Sequence, residues 1–408
     1  MAVSLPEAEL TGIDLAAEPI QRGQNVIDSL SLKRIRLIAM NLMDVDESFG
    51  TFDYIIAHGL YAWTPLEVRN KILAVIRTNL SPNGVAFVSY NTNPGGHLKR
   101  ILRDMMLFHA NLFEDPRERL GSARAILSLI DAGWPEPSIM EQAISSMAHD
   151  ALEIAEGGLY HDHLSEVFEP VYFRDFVEHA ARHELAYVAD ASVGDTFNFK
   201  ISSQAMDAVR AIGGLGHIFQ EQFLDLLRLR RFRSSLVCHA ARAPTPGWDS
   251  SRAVGLFASS TASEGENAEF TSWNGRTIAV NETAAPFLRE LIELRPQSRP
   301  LEPGETEIAL ELYRRDLIEL RAGPDPAVRT SDRPLASPLV RFQLARGATQ
   351  VTTLRHFVAE LEDEESRRLI LLLDGSRNLD ELADLGPFSR PLLETQLRAL
   401  ERLALFLG

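Results

Sequence analysis

Apolar and polar positions along this chain follow two periods, and the switches between them mark its elements. Phe52–Ala57 (FDYIIA) is a short apolar run, as expected of a strand covered on both faces. Leu66, Ile72, Val75, Ile76 and Leu80 then keep helical spacing, and Val85–Tyr90 is a second strand-like run. Thr64-Pro65-Leu66-Glu67 predicts the helix start: a capping-box pair with proline at the first helical position. Ser81-Pro82-Asn83-Gly84 predicts the break before the next strand. Strand–helix–strand implies parallel strands, and ligands of such sheets bind at the carboxyl ends. His58–Trp63 and Asn91–His97 are thereby predicted to share one rim.

The same reading extends both ways. Upstream, Glu9–Asp14 (ELTGID) is a short strand ending in an acid, Ile20–Ile27 begins a helix, and Ile35–Met40 is a strand followed by Asn41. Downstream, Leu98, Ile101, Leu102, Met105 and Met106 mark a helix, and Gly121–Ile130 and Ile139–Ile154 mark two more. This insertion, about residues 98–155, either covers the rim as a lid or simply packs. Tyr172–His183 predicts a helix, Leu185–Ala191 a strand, Ile218–Leu227 the heart of a long helix and Ser234–His239 a strand. His161 and His163, two apart, would share a face of a strand and could ligate a metal, but no third ligand has suitable spacing, so ordinary histidines are favoured and no metal is assigned.

Residues 241–265 are rich in Pro, Ser, Ala and Gly and read as a linker with one strand at Val254–Ala258. A faint repeat follows, from Asn281 to Gly323 and again from Glu362 to Gly408. The stretch LLLDGSRNLDELADL looks like a winged helix in which Leu372, Leu373, Leu379 and Leu382 face a shared core. The expected division is 1–240 as one α/β domain with its insertion and a region at about 156–240, then winged-helix-like modules at 266–340 and 341–408.

Composition narrows the classes. The 408 residues suffice for two or three domains, and the 45% hydrophobic content suits a globular protein. A net charge of −16 argues against general affinity for nucleic acid or anionic membrane. The acids Glu362–Glu365, Asp380, Glu381 and Asp384 in the last module point to protein contact rather than DNA. One cysteine, Cys238, allows no internal disulfide and reads as a buried small residue. With no secretory signal and no long apolar run, a cytoplasmic protein is expected.

The strand FDYIIA, its helix, the turn L-S-P-N-G and the strand after it resemble the fourth strand, fourth helix and fifth strand of class I S-adenosylmethionine-dependent methyltransferases. HGLYAW with SYNTNPGGH is similar to a bacterial family that carries a methyltransferase regulatory region and includes protein lysine methyltransferases. The resemblance covers residues 9–240 with gaps and implies a Rossmann-like α/β sheet. It implies S-adenosyl-L-methionine as cofactor, with Asp14 on the ribose, Asn41 at the adenine in place of the family's usual acid, and Leu42, His58 and Gly59 completing the set. Tyr61, Trp63 and Asn91 are the expected catalytic positions: the two rings as walls of a lysine pocket, Asn91 as a substrate contact or a helix cap. His97 is a further substrate-contact position. Packing is the alternative for Trp63. A protein substrate is implied, and a homodimer is compatible with it.

One departure stands out. The family's first strand ends in a Gly-rich loop whose backbone approaches the cofactor. No GxGxG precedes Asp14, and Met1–Leu5 reads as the end of the helix that would follow that loop. A chain cut short is favoured over a decayed paralogue. A catalytically dead scaffold and a small-molecule methyltransferase remain alternative functions.

Overall fold

The computed structural model describes residues 1–194, 201–385 and 389–407. The chain divides into two compact units, one built mainly from Met1–Asn41 with Gly247–Gly408, the other from Leu42–Ser192 with Phe199–Pro246.

The first unit begins with β1 (Leu10–Asp14), α1 (Ala17–Ser29) and β2 (Ile35–Ala39). The two strands pair in parallel, with Leu10 opposite Ile35 and Asp14 opposite Ala39. Asp14 and Asn41 therefore lie at the carboxyl ends of adjacent strands. Met1–Leu5 forms a turn closed by the Leu5 amide on the Met1 carbonyl, and Val3 packs beside Ala327, Leu354 and Ala404. The same unit holds two apolar cores, one from Ala253 to Ile318 and one from Ala336 to Phe406. Leu373 and Leu382 are buried in the second core with Leu372 and Leu379 against it, as the likeness to a winged helix implied. The stretch read as linker is more ordered than its composition suggests. Phe257–Ser259 is a strand, Val254 lies outside it, and Ala253, Ala258 and Ala262 are core residues. Small side chains are what let this segment enter the core, and they are also what made it look like a linker.

The second unit is built on a four-stranded sheet. Its elements are β3 (Phe52–Ala57), α2 (Leu66–Asn79), β4 (Leu80–Asn91), α3 (Gly95–Ala110), α4 (Pro116–Ala132), α5 (Ile139–Leu152), α6 (Glu156–His163), α7 (Phe173–Arg182), β5 (Leu185–Asp190), α8 (Ser203–Ile212), α9 (His217–Arg228) and β6 (Phe232–His239). Strand order is β3-β4-β6-β5, with β3 parallel to β4 and β6 antiparallel to both its neighbours. β6, the last strand of this unit in chain order, is thus the antiparallel one.

α2 and α7 cover one face of this sheet, burying Ile72, Leu73, Ile76, Phe176 and Ala180 against Val88, Tyr90 and Val237. At about 25 cal/mol per Å² of apolar surface, full burial of one such side chain stabilises by roughly 1.5–3 kcal/mol. The insertion has a core of its own, where α3, α4, α5 and α6 meet through Leu102, Met106, Leu127, Ile144, Ala148 and Leu159.

Local details differ from the sequence reading at three points. α2 begins at Leu66, and the Thr64 hydroxyl donates to the Leu60 carbonyl at 3.2 Å instead of capping the helix. Residues 81–84 do not end a helix before a new strand; they bulge within β4, because Phe52 pairs with Leu80 and Tyr54 with Val85. His161 and His163 lie on helix α6, not on a strand, so a spacing of two puts them on different faces.

Candidate functional site

The first unit offers a carboxylate and an amide side by side in the strand register. Asp14 is exposed at the end of β1, and one of its oxygens accepts the Ala16 amide at 2.7 Å. That bond fixes the carboxylate at the start of α1, and the Met40 amide donates to the Asp14 carbonyl at 2.9 Å. Asn41 is exposed one step beyond β2. An acid at such a strand end can accept bonds from two vicinal hydroxyls of a ribose, and the neighbouring amide can meet a base edge. This donor set suits a nucleoside.

In the second unit, the segment after β3 turns sharply. Gly59 has φ +64°, a left-handed conformation that other residues adopt at a cost, and a side chain there would meet nothing within 4 Å. The buried Ser89 hydroxyl organises the turn: it accepts the Gly59 amide at 2.9 Å and lies 2.8 Å from His58 Nδ1. His58 is exposed, with Phe87 and Phe232 beside its ring. Leu42, half-buried, packs against the core under the sheet.

Tyr61 and Trp63 sit on one short turn, Tyr61–Trp63, but face different surroundings. Tyr61 is 2% exposed, set edge-on to Phe176 and next to Tyr90, with its hydroxyl 2.6 Å from His179 Nδ1. Burial pushes its phenol up to about 12 and pushes His179 down to about 4. The expectation of Tyr61 as a pocket wall is corrected accordingly: the ring is sealed in the core because α7 supplies both its aromatic neighbour and the hydrogen-bond partner its hydroxyl needs.

Trp63 instead stacks beside Phe168, ring centroids 4.7 Å apart, with Lys99 Nζ 4.9 Å from its centroid. Sequence spacing missed Phe168 and Lys99 as its companions, since they lie more than 30 residues away in the chain and only the fold joins them.

Asn91 ends β4, and its carbonyl accepts the Val171 amide at 3.3 Å. Beyond it the NPGG turn is held by backbone bonds, Thr92 to Arg231 and Gly95 to Arg230. A Cβ on Gly95 would fall 2.3 Å from the Leu229 carbonyl, and one on Gly96 would fall 2.6 Å from Pro170. These glycines serve chain-to-chain packing rather than a ligand. His97 is exposed near Tyr172.

A buried ionic group braces the segment that meets the NPGG turn. Arg233, 1% exposed, makes paired bonds of 2.7 and 3.0 Å to Asp225, bonds Glu221 at 2.9 Å, and lies 3.7 Å over Phe173. Arg230 bonds Asp190 at 2.8 Å. A surface cleft lined by Arg77, Pro82, Glu184 and His239 lies where β4 and β5 begin, at the sheet edge away from these strand ends, and plays no part in the site. Among the described residues, no group of three or more His, Cys, Asp or Glu is arranged to hold a metal, and no helix is long and apolar enough to cross a membrane.

Three family models match the chain: a methyltransferase domain at residues 1–84, a predicted methyltransferase regulatory domain at 156–239, and the C-terminal winged helix domain of PKMT at 332–385. An uncharacterised protein of Rickettsia prowazekii is 35% identical over 239 residues, which are 58% of this chain and 43% of that protein. A second uncharacterised protein of the same organism is 34% identical over 186 residues, 44% of this chain and 73% of that protein. The chain thus spans less than half the length of the one relative and about three quarters of the other. Among solved structures, PKMT2 of Rickettsia typhi, also solved in complex with AdoHcy, has the same fold. Its TM-score is 0.82 at 21% identity, over 100% of this chain and 91% of that one.

Proposed function

Since this chain belongs to the bacterial family of class I S-adenosylmethionine-dependent methyltransferases that carry a methyltransferase regulatory region, we propose that it takes part in methyl transfer from S-adenosylmethionine to lysine side chains of proteins. The observation that carries this reading is the carboxylate–amide pair at the carboxyl ends of adjacent parallel strands. Asp14 would hold the ribose and Asn41 the adenine. Leu42, His58 and Gly59 are cofactor positions that the resemblance alone implies.

The bound cofactor supplies a methyl group already activated on a sulfonium, so the protein's own task is alignment and exclusion of water. Trp63 is the acceptor-side residue: its ring face attracts an ammonium, and its apolar surroundings favour the neutral amine that can attack. Burial likewise lowers the Lys99 amine below the ordinary range. Asn91, at the neighbouring strand end, is placed to contact the acceptor chain. Residues 1–240 would form the catalytic-type part, with the two winged-helix-like modules at 266–340 and 341–408 making contacts to protein. A cytoplasmic setting and a homodimer are parts of the same proposal.

The test is calorimetric titration of S-adenosylmethionine into the full chain and into Asp14→Ala. Micromolar binding that weakens at least tenfold in the variant supports the reading. No binding to the unmodified chain overturns it and leaves the scaffold function.

A further inference from the structure

α3 presents two cations, one turn apart, to the same pair of rings. Lys99 Nζ lies 4.9 Å from the Trp63 centroid and 5.6 Å from that of Phe168. The Arg103 guanidinium lies 5.6 and 4.9 Å from the same two centroids. Phe168 is 6% exposed and Arg103 3% exposed, so these cations are drawn in from solvent rather than spread over a surface.

The group is over-supplied with positive charge and under-supplied with acceptors. Arg103 satisfies one nitrogen on the Ser165 carbonyl at 2.7 Å, while its Nη1 has no hydrogen-bond partner among the described residues. His163 lies on α6 and is 7% exposed, and its Nδ1 is likewise without a partner among the described residues. Burial and the neighbouring Lys99 charge lower His163 to about 4, so its ring is neutral near pH 7 and its Nδ1 is able to accept a bond. Two cations packed together on two rings repel each other. Arg103 is fixed by its backbone bond, whereas Lys99 is held by ring faces on a flexible four-carbon stem.

Resting on the lysine reading above, we propose that Trp63 and Phe168 form the recognition box for the acceptor's alkylammonium, and that Lys99 fills this box as an internal surrogate which an incoming lysine displaces. The box suits an ammonium better than a guanidinium, because Arg103 already occupies the planar-cation face.

The test follows the Trp63 indole resonance of the full chain, without cofactor, on titration with N-acetyl-lysine methylamide. N-acetyl-norleucine methylamide is the uncharged control. Lys99→Gln empties the box while keeping side-chain length. The expected result is that this variant binds the lysine probe at least tenfold more tightly than the unmodified chain, that the norleucine probe shifts nothing, and that Trp63→Leu in the Lys99→Gln chain abolishes binding, as followed by calorimetry. A Lys99→Gln chain that binds no lysine probe, or binds both probes alike, overturns the proposal.

Should Lys99→Gln fail to fold, the unmodified chain gives a second readout. Limited reductive methylation with formaldehyde and borohydride should leave Lys99 protected relative to Lys33 and Lys71, and added lysine probe should raise its labelling several-fold. Unchanged labelling overturns the proposal. Because no cofactor is present, the result is read separately from the calorimetric test above. A box that takes the cation in a chain that binds no cofactor would sink the methyl-transfer reading and leave the cation site standing.

Discussion

At the residue scale, burial decides which candidate side chains have a chemical role left to play. Tyr61 and Trp63 are two positions apart, and sequence pattern treated both as pocket walls. The phenol of Tyr61 needs a hydrogen-bond partner once buried, and His179 supplies it; Trp63 keeps one face for cations. The histidines carry a pH prediction. His163 and His179 are held near 4 in the folded chain against an ordinary value of 6.5, chiefly by desolvation. Between these values the unfolded chain binds protons that the folded chain refuses. Their contribution is therefore fully present above about pH 6.5 and is lost as pH falls towards 4. Urea unfolding at pH 7 and pH 5 should show a loss of about 1–2 kcal/mol per histidine at the lower pH. His179→Gln should flatten part of that slope while costing stability at pH 7. Of the candidate site, the strand-end positions Asp14, Asn41, His58 and Gly59 were legible from pattern and resemblance. Phe168 and Lys99 were not, because a cation over a ring is a contact across sequence distance and leaves no spacing to read.

At the element scale, periodicity placed most helices and strands, while their junctions escaped it. α9 and β6 appear where apolar spacing put them, yet the 81–84 stretch reads as a turn and folds as a bulge. Pro, Asn and Gly signal an interruption of regular backbone, and a strand bulge satisfies that signal as well as a turn does. Two predictions belong here. Gly95→Ala pushes a Cβ against two carbonyls, and neither can give without moving the chain before β6. A fall in the thermal midpoint of several degrees is expected, whereas Gly121→Ala, in open space on α4, should leave it unchanged or raise it. Arg233→Met would strip Asp225 of its paired bonds inside the unit. Removing one partner of a buried ion pair costs roughly 3–5 kcal/mol, which chemical denaturation would register directly.

At the scale of the whole molecule, charge and topology set the limits. With a net charge of −16, the full chain should show no binding to duplex DNA by fluorescence anisotropy at physiological salt, despite the winged helix domain matched at 332–385. Submicromolar binding there would refute the proposed role of the C-terminal part in protein contact. The small residues of 250–264 illustrate the limit of composition: Ala and Ser suit a flexible linker and a tight core equally, and only packing distinguishes them. What the sequence determined by itself was local and periodic. Strand–helix–strand order, the parallel pairing it forces and the acid at the end of β1 all follow from near-neighbour pattern. What only the tertiary structure decided was the company each side chain keeps: Tyr61 sealed against α7, the PGG glycines pressed on the chain before β6, and Lys99 lodged on Trp63 and Phe168. The physical reason is that backbone geometry is governed by residues within a few positions of each other. Burial and electrostatics depend on atoms brought close only after the chain has closed.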